Sequence, residues 1–233
     1  MHAIFHLMKR FFLFVVFIGV TQVNAQINEI GVFLGGTNYI GDIGKTDYVN
    51  PSDLAFGLIY KWNKSPRHAY RFSIFHGEIS ANDLDSEVPG RYKRGLSFEN
   101  TVTEFSAGLE FNFFDFNLHN LEQKVTPYIY TGLTYAVYDG LFFVGKNPKS
   151  DSQHGTVAIP MVVGIKSNIT TNLILGAEIG ARYSFADDID GSNPTNENLQ
   201  NQRFGNLLSK DWYVFTGFTL TYTFGEKPCY CFD

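Results

Sequence analysis

The sequence predicts an all-β protein, an eight-stranded antiparallel transmembrane β-barrel with a side-chain-filled lumen, short periplasmic turns and long extracellular loops. Three observations carry this. Apolar residues alternate with small or polar ones over eight segments of about 9 to 13 residues, long enough to cross a bilayer when tilted. The connections between these segments alternate between short and long. Aromatic residues make up 16% of the chain, with 23 Phe and 13 Tyr, yet no apolar run after Val20 approaches the length of a membrane-spanning helix.

The amino terminus reads as a secretory signal peptide over residues 1–25. Lys9 and Arg10 precede the apolar run Phe11 to Val20, and Val23-Asn24-Ala25 offers small side chains to a peptidase, with cleavage between Ala25 and Gln26. The start lies at Met1 or at Met8, which directly precedes the basic pair. Gln26 rather than Cys stands directly after the cleavage site, so no lipid anchor is expected. The mature chain of 208 residues suits one barrel over 26–224 with a periplasmic tail over 225–233. It carries 16 basic against 23 acidic residues, a net charge of about −7 that makes nucleic acid an unfavourable partner.

The first strand is expected over Ile27–Gly36, with Ile30, Val32 and Leu34 on one face and Glu29, Gly31, Phe33 and Gly35 on the other. The second, Leu54–Trp62, sets Leu54, Phe56, Leu58, Tyr60 and Trp62 against Ala55, Gly57 and Lys61. The third, Ala69–Glu78, sets Tyr70, Phe72 and Ile74 against Arg71, Ser73 and Gly77; the fourth, Thr103–Phe113, sets Phe105, Leu109, Phe111 and Phe113 against Glu104, Ser106, Gly108, Glu110 and Asn112. Tyr128–Tyr138, Thr156–Lys166, Leu173–Phe185 and Trp212–Phe224 repeat the pattern. Asn63–His68 and Ser167–Asn172 are then short turns, while Thr37–Asp53, Ile79–Val102, Asp139–Gly155 and Ala186–Asp211 are long outer loops. Phe114–Thr126 is a long connection on the short-turn side, with a short helix expected over Leu118–Gln123.

A soluble sandwich or lipocalin-like barrel is the rival, with its apolar faces turned inward. The charges argue against it. Lys61, Arg71, Glu104, Glu110, Lys166, Glu178 and Arg182 all lie opposite the bulky apolar faces. In a narrow membrane barrel these four cations and three anions must pair inside the lumen, because an unpaired buried charge is costly. In the last strand, Gly217, Leu220, Tyr222 and Phe224 have the spacing read by outer-membrane insertion machinery.

No catalytic, cofactor-binding or metal-binding set can be assembled from the sequence. His76 is assigned to the lipid face with Ser73 and Glu78 in the lumen, which separates them, and His68, His119 and His154 fall in connections without partners. The loop Ala186–Asn198 carries Asp187, Asp188, Asp190 and Asn193 but lacks calcium-loop spacing, and reads as solvated. Arg91, Lys93 and Arg94 read as a solvated basic cluster rather than a lipopolysaccharide contact, and the glycines at 35, 36, 41 and 44 as strand end and turn. Cys229 and Cys231, the only two cysteines, could bridge each other only in a strained small ring, which leaves one or both free or paired elsewhere; the expectation is an intermolecular disulfide from one of them to a periplasmic partner.

The segment Asn28 to Asp42 resembles the opening strand and loop of the PorG-like barrels, outer-membrane subunits of the type IX secretion system of Bacteroidota. The resemblance extends through Pro51–Trp62, the arginine-bearing third strand with its Asn82-Asp83 loop, and the Cys-bearing tail after Phe224. It implies a non-enzymatic scaffold that tethers a periplasmic ring of a lipoprotein and its partner to the outer membrane, supporting cargo export and gliding adhesins. Its contact surface would be the Phe114–Thr126 connection, with Phe114, Phe116 and Leu118, and the tail with Cys229 and Cys231. The alternatives are a stand-alone OmpA-like structural or adhesive barrel and, behind it, a lipid-modifying enzyme with a triad at the outer rim.

Overall fold

A computed structural model describes residues 27–118, 123–206 and 209–225. Its strands are β1 (Ile27–Ile40), β2 (Asp53–Asn63), β3 (His68–Asn82), β4 (Ser97–Asn112), β5 (Val125–Val144), β6 (Asn147–Asn168), β7 (Leu173–Ser184) and β8 (Trp212–Phe224). Each pairs antiparallel with its sequence neighbours, and β8 returns to pair with β1, so the sheet closes in sequence order. Closure leaves no unpaired strand edge, which a structure spanning hydrocarbon requires.

All eight expected segments are strands, but several run further at their outer ends. The long loop expected over Asp139–Gly155 is instead the continuation of β5 and β6 as a two-stranded ribbon, with a register shift between Gly140 and Leu141. Gly145, with φ 69°, and Lys146 make its turn; positive φ at the first central position alone is the type II′ pattern. Period two disappears there because Asn147 to Gln153 are exposed throughout. With water on both sides, the ladder continues without any demand for alternation.

The barrel is inside-out relative to a soluble one. Leu58, Leu133 and Phe218 are 60%, 65% and 64% exposed on the outer wall, whereas Glu29, Lys61, Arg71, Glu104, Glu110, Lys166, Glu178 and Arg182 on the opposite face of the strands are buried. That polarity fixes the outer wall as the lipid-facing one. Aromatic contacts mark both rims: Tyr183 packs against Trp212 (ring centroids 5.1 Å) and Phe185 (5.3 Å) at the loop side, and Trp62 against Tyr70 (5.3 Å) at the turn side.

Within the lumen, between Arg71 and Arg182, whose guanidinium groups lie 5.9 and 5.6 Å from the Phe75 ring, Phe33 stacks on Phe75 (4.5 Å) and both meet Phe215 edge-on. This plug fits because Gly35 and Gly217 face each other across β1 and β8. A Cβ on Gly217 would lie 2.6 Å from Gly35 Cα and 2.8 Å from Phe33 Cζ. Gly217→Val is accordingly expected to lower stability by about 1–3 kcal/mol through overpacking, measured by urea unfolding in lipid vesicles.

Candidate functional site

The lower lumen is built from charges that strand alternation aims inward. Glu110 on β4 receives Lys61 Nζ from β2 (2.9 Å to Oε1, 2.8 Å to Oε2) and Lys166 Nζ from β6 (2.6 Å). Arg71 lies 3.6 Å from Glu110 and binds Glu178 through two parallel 2.7 Å bonds; Tyr128 adds its hydroxyl to Glu178 at 2.5 Å. Higher up, Arg182 donates to Glu104 (2.8 Å), which also accepts from Tyr213 (3.1 Å). The guanidinium groups lie over rings, Arg71 over Tyr130 (4.8 Å) and Arg182 over Phe215 (4.7 Å).

Sequence reasoning left one member out of this set. Glu29, 0% exposed, accepts from Asn63 Nδ2 (2.8 Å) and Thr221 Oγ1 (2.9 Å) on the same lumen face. Its place opposite Ile30 and Val32 was the signal, and with it four lumen cations meet four anions.

At the turn side the three expected contact residues separate. Phe116 is 4% exposed and tucks its ring beneath Lys166 Nζ (5.0 Å), so it stops the lower end of the lumen rather than facing a partner. Phe114 is 61% exposed, and Leu118 is half-buried. The tail with Cys229 and Cys231, His119, and most of the helix expected over Leu118–Gln123 lie outside the described residues. Leu220, Tyr222 and Phe224 line up on the outer wall of β8, while Gly217 sits at the Phe33 plug.

Parts of the outer loops fold inward as a cap, while residues 45–52 and 147–153 stay exposed. Ile43, Leu96, Leu141, Phe143 and Ile189 are buried in one cluster continuous with the Phe33 plug. The basic cluster is dispersed into this cap. After Asn82, the segment Pro89–Arg94 forms helix α1, closed by Gly95 in the left-handed region (φ 61°). Arg94 binds Asp83 within its own loop (Nε 2.7 Å, Nη2 2.9 Å) and donates to the Asp42 carbonyl (2.7 Å), and Arg91 donates to the carbonyls of Gly44 and Gly41 (2.8 Å each), so both arginines tie the second outer loop to the first. Only Lys93 stays exposed.

The acidic loop is likewise inside the cap, which corrects its reading as solvated. Asp187, Asp188, Asp190 and Ser192 are buried because Ile189 anchors the loop in the apolar cluster. Asp190 accepts from Ser192 N (2.8 Å); Asp211 accepts from Tyr39 Oη and Ile189 N (3.0 Å). Among the described residues no three His, Cys, Asp or Glu side chains are gathered closely enough to hold a metal ion.

These carboxyls titrate in opposite senses. Burial raises Asp190 and Asp211 above the ordinary aspartate value of 3.8, and their mutual charge adds to it at Asp211. Burial also acts upward on Asp83, but hydrogen bonds from Arg94 and the amides of Gly44 and Leu96 outweigh it and hold that carboxyl below 3.8. A raised folded pKa means that the folded cap binds the proton more tightly, so this contribution is full below 3.8 and is lost as pH rises through the folded value; Asp83 contributes above 3.8 and loses it in acid. Exchange protection at Ile189 and Ser192 should therefore rise as pH is lowered toward 3.8, while Gly44 and Leu96 hold theirs until pH falls below it. Asp190→Asn, a neutral mimic, should flatten the Ser192 response.

Three His readings also change, the first being His68, which begins β3 instead of lying in a connection and has its Nδ1 3.2 Å from Ser65 Oγ. His76 bonds Thr103 Oγ1 (2.8 Å), and Glu78, two residues on, shares its outward face instead of entering the lumen. His154 is not partnerless: its Nδ1 lies 2.6 Å from Asp188 Oδ2 and its Nε2 3.0 Å from Ser152 Oγ. Asp188 is fixed by Tyr138 Oη (2.5 Å) and Thr195 Oγ1 (2.6 Å).

A family model described as a domain of unknown function (DUF6089) matches residues 8–233. No curated protein matches the chain. Among solved structures it is similar to Ail, the attachment invasion locus protein of Yersinia pestis, at 14% identity over 86% of this chain and 100% of that one, with a TM-score of 0.47. It is similar also to the outer membrane protein OprG from Pseudomonas aeruginosa, at 10% identity over 86% and 97% of the two chains (TM-score 0.46). A major outer membrane protein from Thermus thermophilus stands at 14% identity over 86% and 100% (TM-score 0.46).

Proposed function

The chain belongs to the family described as a domain of unknown function (DUF6089), and for this member we propose the role of a non-conducting scaffold: an integral outer-membrane barrel that anchors a lipoprotein-containing periplasmic ring of the type IX secretion system. The observation that carries it is the filled lumen. Ion pairs occupy the lumen, the Phe33–Phe75–Phe215 plug lies between Arg71 and Arg182, and Phe116 stops one end while the loop cap covers the other. A barrel closed in this way cannot pass a protein, which leaves its end surfaces to act.

The turn-side end, read as periplasmic, offers the exposed Phe114, and the sequence carries both cysteines beyond the end of β8. The specific assignment to the secretion ring is supported by the resemblance of Asn28–Asp42, Pro51–Trp62 and the Cys-bearing tail to PorG-like barrels. The role needs no cofactor and no catalytic step. Its partners are outer-membrane lipids, the insertion machinery during assembly, and the ring lipoprotein with its companion protein, joined through an intermolecular disulfide.

Pull-down of the tagged barrel from native outer membranes without reducing agent tests this. A lipoprotein recovered in a band that disappears on reduction, or in the C229S and C231S variants, is the expected result. Recovery of the barrel alone would leave the fold standing and overturn the scaffold role.

A further inference from the structure

The geometry of the outer rim points to a second activity, independent of the scaffold: we propose that Ser152, His154 and Asp188 form a hydrolytic triad that cleaves carboxylic esters of amphiphiles at the membrane surface.

Ser152 and His154 are two residues apart on β6 and therefore share one face of the outer ribbon. Across the ribbon they pair with Gly140 and Tyr138. A Cβ on Gly140 would strike the His154 ring, so the glycine is what lets the imidazole lie along the ribbon toward Ser152. Asp188 arrives from the β7–β8 loop. It is buried and accepts from Tyr138, Thr195 and His154 at 2.5–2.6 Å. An acceptor at Nδ1 places the ring proton on that nitrogen, leaving the Nε2 lone pair to accept from the Ser152 hydroxyl at 3.0 Å. The order is that of an activated serine: nucleophile, base, and a carboxylate that orients the base.

The surroundings define the substrate class. His154 and Asp188 line an open cleft of about 550 Å³, and Ser152 stands exposed beside it. Its lining includes Phe185, which packs against Tyr183 in the aromatic band at the bilayer rim, together with the cations Arg203 and Lys210 and the carboxylate of Asp187. An apolar wall level with the lipid surface beside two cations suits an ester with an acyl chain on one side and a polar or anionic head on the other.

The step balances with solvent water as the only co-reactant. Ser152 Oγ forms a bond to the ester carbonyl carbon as its proton passes to His154 Nε2, and the carbonyl π electrons move onto the carbonyl oxygen. Collapse breaks the bond from carbon to the alkoxy oxygen, and the imidazolium returns the proton to the departing alcohol. Water then attacks the acyl-Ser152 ester through the same base, releasing the carboxylic acid and the free hydroxyl. Asp188 is a positioning residue in this sequence, holding the ring without meeting the substrate.

The test uses the full-length folded barrel in lipid vesicles with an alkyl fluorophosphonate and a series of 4-nitrophenyl acyl esters. The expected results are a covalent phosphonyl adduct on Ser152 in the unmodified protein, none in S152A, and faster turnover of long-chain than of acetyl esters. H154Q should lower turnover by about 10²- to 10⁴-fold, and D188N should change the shape of the pH–rate profile rather than scale it uniformly. Ser152 is exposed, so S152A should keep the faster mobility of the unheated folded protein, and with that retained a loss of the adduct reports chemistry and not unfolding. S152A should still recover the ring lipoprotein, which separates this activity from the scaffold. Absence of any Ser152 adduct in the folded protein, or ester turnover unchanged in S152A, would overturn the proposal.

Discussion

Glu110→Ala is expected to destabilise the folded barrel by about 3–5 kcal/mol, the range for breaking a buried ion pair from one side. Glu110 is the only carboxylate within hydrogen-bond distance of Lys61 Nζ and Lys166 Nζ among the described residues, and Arg71 retains Glu178 when it is gone. The variant would leave two ammonium groups of like sign in a lumen where both lysines are buried. Replacing the lysines as well, in Glu110→Ala with Lys61→Met and Lys166→Met, should restore much of the loss, since removing every partner avoids the stranded charges. Urea unfolding in vesicles, followed by the mobility of the unheated folded band, reads both variants. A single-variant loss within about 0.5 kcal/mol would place it among inert surface changes and contradict the lumen network.

Leu58→Arg should cost about 2–4 kcal/mol in a bilayer, whereas Leu54→Arg should cost about 0–1 kcal/mol. Both side chains point outward from β2, Leu58 at its middle and Leu54 at its outer end. An arginine at mid-height has no partner in hydrocarbon, while one at the rim reaches water and headgroups. The difference between the two positions isolates depth from charge. Equal effects at both would contradict a membrane around this wall, because depth has no meaning for a barrel in water.

The parts of this architecture that alternation governs were legible in the sequence. Leu54 to Trp62 and Phe105 to Phe113 show two unlike faces because lipid lies on one side and a packed lumen on the other, so each strand's orientation follows from its own residues. Glu29 belonged to the same pattern and needed only to be counted. Beyond the bilayer that pressure ends: the exposed stretch Asn147–Gln153 continues β6 with no periodic signature. The cap was illegible for a different reason. Ile43 and Ile189 are isolated apolar residues in polar loops, and what they bury depends on contacts far away in the chain. Arg91 and Arg94 read as solvated because their acceptors, Gly41, Gly44 and Asp83, are fixed only when two loops meet. Ser152 and His154 are neighbours in sequence, but Asp188 lies 34 residues from His154, brought in by the β7–β8 loop. No local spacing encodes that approach.

The most direct test of the sealed barrel is electrical: purified protein, folded and inserted in a planar lipid bilayer, with current recorded under applied voltage. Ion pairs, the phenylalanine plug and the loop cap predict insertion with no discrete conductance steps above the bare membrane. Reproducible ohmic steps from the folded protein would mean a continuous aqueous path, and would contradict both the filled lumen and the scaffold role that rests on it.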